Sequence, residues 1–380
     1  MSYPDVVVVG AGVIGAACAH DLACSGLRVV VVDRGSLASG TSAAGEGNIL
    51  VSDKEPGPEL DLALASLPQW PDLLAALDAD VEWEPKGGLV VATTDAAASP
   101  LRDFAAAQRT VGVDAVEVGD VADLEPYLTK DLALAVHYPQ DAQVQPVLLT
   151  QALLAAAARH GADLRPGVTA LGLDTVRGTV RGLRTSVGTV PCGAVLNACG
   201  PWAGELSVAL GAPISVQPRR GMVLVTAPLP AGTVRHKVYD ADYVGAVASG
   251  DGDLQTSAVV ESTAAGTVLI GSSRQRIGFD ETVRVEVLRA LAVKALVLFP
   301  MLATVSIMRT YGGFRPYAPD HLPIIGADPR VAGLWHATGH EGAGIGLAPA
   351  TGRLITELMT GARPHVDPSP FRVDRPGVAA

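Results

Sequence analysis

"VVVVGAGVIGAACAHDLACSGLRVVVVDRG" occupies residues 6–35. Four consecutive valines read as a strand buried on both faces. A glycine turn follows, then an alanine-rich helical run, then a second valine strand ending on Asp33. This is a βαβ unit of the kind that binds a dinucleotide. Gly10 permits the tight turn, Gly12 lets backbone approach a pyrophosphate, and Gly15 lets the helix pack close to the sheet. The helix's first residues, Val13 and Ile14, then present N–H groups and the positive dipole end to phosphates. Asp33 can accept hydrogen bonds from ribose hydroxyls, while Arg34 beside it leaves a phosphorylated ribose open. An ordinary βαβ glycine turn is the plainer alternative, but strand, spacing and acid occur together.

Composition narrows the partners. Of 380 residues, 48% are hydrophobic and only 18% charged, which suits a compact globular enzyme. Lys and Arg number 28 against 39 Asp and Glu, giving a net charge of −11. That balance argues against nucleic acid and anionic membranes. Mean hydropathy is +0.31, yet no apolar run approaches the roughly 20 residues of a spanning helix. No charged segment precedes the first apolar run, so the expected location is cytoplasmic. Cys18, Cys24, Cys192 and Cys199 show no metal-ligand spacing and are expected to be buried, reduced thiols, with no metal bound.

Strand and helix alternate in the N-terminal third, again through residues 146–211, and in the C-terminal region. Pro146 suits a helix start and Gly161 its end. "VTALGLD", "GTVRGLRTS" and "GTVPCGAVLNACG" then read as a meander returning into a buried strand at 194–198. Less regular stretches, with short strands such as "GGLVVATT" and "GTVLIGSS", read as a second domain inserted twice into the first. The tail "DPSPFRVDRPGVAA" reads as a frayed end.

Whether the dinucleotide is a nicotinamide or a flavin turns on two further stretches. After Asp33, "RGSLASGTSAAGEGNIL" supplies small residues and glycines that can lie against a large planar ligand. Ser39, Thr41 and Ser42 can serve pyrophosphate and ribityl oxygens. Near the other end, "ATGHEGAGIGLAPATGRLITELM" places Gly339, Gly342, Gly344 and Gly346 before an amphipathic helix. A helix dipole there can stabilise the negative charge of a reduced flavin. A second phosphate site could use the same geometry.

Together with "VLNACGPWAGEL" and "GFRPYAPDHLPIIG", these motifs resemble the D-amino-acid oxidase superfamily of FAD enzymes. The branch most similar is that of glycine oxidase, sarcosine oxidase and D-amino acid dehydrogenase. The resemblance covers nearly the whole chain in order and is most specific at its two ends. It implies an α/β fold: a discontinuous, Rossmann-like FAD-binding domain (1–80, 141–215 and 318–380) with an inserted antiparallel-sheet α+β substrate domain (81–140 and 216–317). It implies that FAD is held by Gly10, Gly12, Val13, Ile14, Gly15, Asp33, Arg34, Thr41, Ser42, Gly47 and Asn48. Val168, Ala198, Gly200 and Trp202 join them, as do Gly339, His340, Glu341, Gly342, Ala343 and Gly344.

Arg315, in the "RP" motif, is where the family places its carboxylate-binding arginine. A guanidinium can clamp a carboxylate through two parallel hydrogen bonds; a structural pair with Asp320 is the alternative. Tyr243, Tyr311 and Tyr317 are candidates to close over the substrate, and His340 to touch the flavin edge. Glu46 and Asn48 lie where sarcosine oxidases carry a basic cluster, which argues against simple N-methylglycine substrates. Those enzymes attach flavin through a cysteine near a stretch that here has none, so FAD is expected to be non-covalent.

The implied reaction is oxidation of the Cα–N bond of an amino or imino acid by hydride transfer to flavin N5. The resulting imine would hydrolyse to an oxo acid, with oxygen or another acceptor reoxidising the flavin. Three alternatives stand beside it. One is an FAD-dependent 2-hydroxy-acid dehydrogenase, which the same arginine would suit. Another is the flavin subunit of an opine- or hydroxyproline-type dehydrogenase, with partner chains or a homo-oligomer. The third is a nicotinamide dehydrogenase, which would be colourless when purified.

Overall fold

A computed structural model describes residues 3–379. The opening motif folds as read, with strands Val6–Val9 and Val29–Asp33 flanking helix Val13–Cys24. They sit in the middle of a six-stranded sheet. Its order is Ile324–Ala327, Leu334–Thr338, Ala194–Asn197, Val6–Val9, Val29–Asp33, Asp163–Pro166. All neighbouring pairs are parallel except Ile324–Ala327 with Leu334–Thr338.

The uninterrupted valine runs have a simple cause. Val6, Val8, Val29 and Val31 pack into the core that holds helix Val13–Cys24, while Val7, Val9, Val30 and Val32 pack beneath a three-stranded sheet. That sheet is the predicted meander, strands Ala170–Val176, Thr179–Thr185 and Gly188–Pro191. Both faces are covered, so alternation gives way to continuous apolar sequence. Helices Pro146–Arg159 and Gly344–Thr360 pack beside Val13–Cys24 on the other side.

An eight-stranded sheet is built from residues 88–138 and 217–317. Its order is Ile307–Tyr317, Gln217–Thr226, Val268–Arg274, Gln255–Ser262, Lys237–Asp240, Gly88–Ala92, Leu134–Tyr138, Val116–Glu117. Pairing is antiparallel except between Lys237–Asp240 and Gly88–Ala92. One face carries Met222, Leu224, Ile270 and Val260, covered by Leu291, Ala295 and Leu298 of helix Val285–Leu298. Tyr239, Val259 and Val90 on the other face join the core of the first sheet's helices.

Two expectations are corrected. The tail is not frayed: Phe371, Val373 and Val378 are 2%, 1% and 0% exposed. Val378 accepts a hydrogen bond from Ser215 N, and Arg375 grips Asp320 through two hydrogen bonds of 2.6 and 3.0 Å. Apolar residues spaced among the prolines and charges of the tail carry this packing. Cys24 is exposed at the helix end, Cys199 is half-buried, and only Cys18 and Cys192 are buried. Among the described residues no helix is long and apolar enough to cross a membrane, and no His/Cys/Asp/Glu group has metal-site geometry.

Candidate active site

The glycine turn is tight because other backbone fills the space side chains would need. A Cβ on Gly15 would overlap the Gly10 carbonyl, and one on Gly10 would overlap that of Ala198. Val13 N donates to Ser42 Oγ at 2.9 Å, tying the loop after Asp33 to the helix N-terminus. Asp33 is already engaged: its two carboxylate oxygens accept from Ala11 N and Gly35 N, both at 2.8 Å. It therefore braces the turn, using one lone pair of each oxygen and leaving the others free to accept. Val168 N is bonded to the Asp33 carbonyl at 2.8 Å. The Arg34 guanidinium lies 4.8 Å above the Trp202 ring, and a Cβ on Gly40 would meet that ring at 3.4 Å. Gly200, at φ +54° and two residues after Ala198, accepts from Thr338 Oγ1 at 3.0 Å through its carbonyl.

The two glycine-rich loops meet. Val13, Ser42, Asn48, Tyr243, Arg315 and Gly342 line one cavity, which also takes in Thr41, Gly47, Ala343 and Gly344. Gly47 approaches Val144 so closely that a Cβ would overlap its carbonyl. Ile14 packs against Gly344, whose missing Cβ would lie 3.9 Å from the isoleucine side chain. A Cβ on Gly342 would stand 3.7 Å from the Arg315 side chain. The loop wall is thus backbone, and the arginine stands opposite it.

The C-terminal loop is held from outside. Gly339 has φ +77° and Glu341 φ +45°. The Glu341 carboxylate meets Arg219 at 2.5 Å and His321 at 3.0 Å. Burial opposes its ionisation, but those two partners keep its carboxyl below the usual range. Ala343 N closes the turn on the His340 carbonyl at 2.9 Å.

Arg315 does not pair with Asp320, whose partner is Arg375. One guanidinium nitrogen donates to the Ser273 carbonyl at 2.9 Å. Burial, then the nearby Arg274 charge, lowers its pKa, though an arginine stays cationic. The remaining donors stay available for a carboxylate.

The aromatic candidates separate. Tyr243 lines the Arg315 cavity, with the Arg274 guanidinium 4.6 Å above its ring. Tyr311 lines an adjoining cavity of about 510 Å3 instead; burial raises its pKa. Tyr317 packs, 4% exposed, edge-on to His321. His340 lies in the C-terminal glycine loop but is packed instead of solvated. It is 2% exposed, lines neither cavity, and bonds Thr351 Oγ1 through Nε2 at 3.0 Å. Burial pushes its pKa down to about 3, so the ring is neutral.

Sequence reasoning missed a buried polar cluster behind Glu46. Asn48 Nδ2 lies 3.4 Å from Glu46 Oε2 and 3.3 Å from Glu261 Oε1. Burial pushes the Glu261 carboxyl up to about 7. Lys54, paired with Asp53 at 2.6 Å, adds a charged wall to the Arg315 cavity. No local signal joins these residues, because they come from separate strands and loops.

Comparison with known proteins identifies the family and the fold. A family model described as FAD dependent oxidoreductase matches residues 5–358. Glycine oxidase of Pseudomonas putida is 31% identical, covering 97% of each chain. The hydrogen cyanide synthase subunit HcnC of Pseudomonas aeruginosa is 30% identical, over 98% of this chain and 96% of its own. The crystal structure of glycine oxidase from Geobacillus kaustophilus superposes with a TM-score of 0.88 at 30% identity, covering 99% of each chain. The chain belongs to the FAD-dependent oxidoreductase family.

Proposed function

We propose that this enzyme oxidises the C–N bond of a small amino or imino acid, with Arg315 holding the substrate's carboxylate. The observation that carries the reading is a half-buried cation facing a backbone-lined wall, with, among the described residues, a single protein hydrogen bond and no carboxylate partner. Two of the relatives described above are glycine oxidases, which supports an amine donor.

The residues present fit FAD. Helices Val13–Cys24 and Gly344–Thr360 both begin in glycine-rich loops, with no acidic residue in the first turn and no side-chain cap from their own N-cap residues. Such ends suit anionic groups. Gly10, Gly12, Val13, Ile14, Gly15, Thr41 and Ser42 would hold the pyrophosphate end, with Asp33, Arg34, Val168, Ala198, Gly200 and Trp202 toward the nucleoside. Gly47, Asn48, Gly339, Glu341, Gly342, Ala343 and Gly344 would form the wall at the ring system. We assign residues 1–80, 141–215 and 318–380 to FAD binding, and 81–140 and 216–317 to substrate binding. No cysteine lines the cavity, which supports non-covalent attachment.

When bound, FAD supplies the hydride acceptor. The chain's part is placement: Arg315 fixes the carboxylate, and Tyr243 narrows the cavity beside it. The neutral, packed His340 braces the loop instead of moving a proton. The imine released would hydrolyse to an oxo acid.

The test is anaerobic bleaching of the purified yellow protein by a panel of D-, L- and N-alkyl amino acids, with 2-hydroxy acids beside them. Bleaching by amino acids and not by hydroxy acids is expected; the reverse refutes the reading. A second reading, a flavin subunit that needs partners to pass on electrons, is favoured by the likeness to a synthase subunit. It predicts bleaching without turnover on oxygen or small quinones.

A further inference from the structure

The cavity that holds Arg315 also holds an opposite charge. Glu46 lines it together with Asn48 and Tyr243. Its Oε1 is buried without a hydrogen-bond partner, and Oε2 has only the 3.4 Å contact with Asn48. Among the described residues no ion pair reaches Glu46. Lys237, the buried cation behind it, leaves Nζ unpartnered over the Tyr239 and Tyr243 rings, at 5.7 and 5.5 Å.

Both charges rest on one floor. A Cβ on Gly271 would lie 2.6 Å from Glu46 Oε1, and one on Gly221 would overlap the Arg315 guanidinium. Gly221 and Gly271 stand on adjacent strands, Gln217–Thr226 and Val268–Arg274, where Leu224 faces Ile270. A cation and an anion therefore lie side by side over glycine, open to the same space. The anion's surroundings are rich in acceptors: Asn48 Oδ1, Gln143 Oε1 and Glu261 Oε2 are also buried and unpartnered. Leaving such groups unmet is costly, and an N–H donor removes the cost.

We propose that Glu46 receives the cationic amino group of the substrate whose carboxylate Arg315 holds, so that the site selects zwitterions over simple carboxylates and hydroxy acids. This rests on the Arg315 reading given above. A hydroxy acid meets the charge of Arg315 but brings none to Glu46; a zwitterion answers both. Nothing in the assignment of FAD-binding residues requires it, and it makes Glu46 a specificity determinant.

The experiment compares wild-type, Glu46→Gln and Glu46→Asp holoenzymes of matching flavin absorbance and melting temperature. Saturation of the anaerobic flavin-reduction rate gives the dissociation constant of the amino acid. Competition in the same assay gives those of acetate and glycolate. Glu46→Gln is expected to weaken the amino acid by about 10- to 100-fold, with acetate and glycolate unchanged or tighter. Glu46→Asp, which keeps the charge, is expected to fall between. Equal weakening of both ligand classes overturns the assignment, since Glu46 would then merely support Arg315. Unchanged binding in both variants overturns it as well. A wild-type flavin that no amino acid reduces overturns the functional reading and this one with it, which separates the two failures.

Discussion

Replacing Arg315 by leucine is the sharpest perturbation of the site. The guanidinium carries five N–H donors in a rigid fork. One is bonded to the Ser273 carbonyl at 2.9 Å, which fixes the plane and leaves an edge for a carboxylate. Truncating one partner of a buried, hydrogen-bonded charge pair costs about 2–5 kcal/mol. At 1.4 kcal/mol per tenfold, that corresponds to a loss in kcat/KM of roughly 30- to 4000-fold. The clamp acts before and during the reaction alike, so the loss should fall mainly on KM. Lysine at the same position keeps the charge without the fork and should recover only part of it. Leucine also opens space over Gly221, so flavin absorbance and melting temperature need to be read alongside stopped-flow reduction. Retained flavin with a steeply raised substrate constant is the expected result. Unchanged kcat/KM for every amino acid substrate refutes the clamp.

Two further outcomes follow from packing and burial. The His340 ring is held neutral, with its pKa near 3, whereas an unfolded chain takes up that proton near 6.5. The unfolded state thus binds more protons between those values, and stability falls as pH drops through that window, by up to about 1.4 kcal/mol per pH unit. Melting temperatures measured from pH 7 to 4 should decline less steeply for His340→Gln than for wild type; identical slopes contradict the burial argument. In the tail, Phe371→Ala should destabilise by about 3–5 kcal/mol, measured by denaturant unfolding. A loss below about 0.5 kcal/mol, the usual range for a surface position, would mean that the tail does frequently detach.

The parts legible in the sequence were those whose causes are local. Gly10, Gly12 and Gly15 do their work within one turn, and the valine runs announce strands covered on both faces. Arg315 was legible through its motif, although its hydrogen bond to Ser273 was not. The rest depends on residues brought together from afar. Asn48 meets Glu261 across 213 positions, and Thr41 bonds the Phe314 carbonyl across 273. The tail misled because its few apolar residues are diluted by prolines and charges, and their partners, such as Ile214 and Ile324, lie far upstream.

The glycines of the large sheet show why such a site resists reading along one dimension. Glycine inside a strand weakens it, so Gly221, Gly271 and Gly313 look like defects when met singly. Gly221 pairs directly with Gly313, and Gly271 stands on the next strand. A Cβ on Gly313 would lie 2.6 Å from that of Ala44. Each glycine is thus explained by what lies over it: Ala44, the Arg315 guanidinium, the Glu46 carboxylate. Loop 41–48 and the arginine can descend onto the sheet only where side chains are missing. Side chains on that floor would lift both charges and the loop carrying Ser42 away from their present positions. The proposed cofactor loop and the two charges proposed to hold substrate are therefore seated by the same three absences, and a substitution at any one should disturb binding of both ligands together.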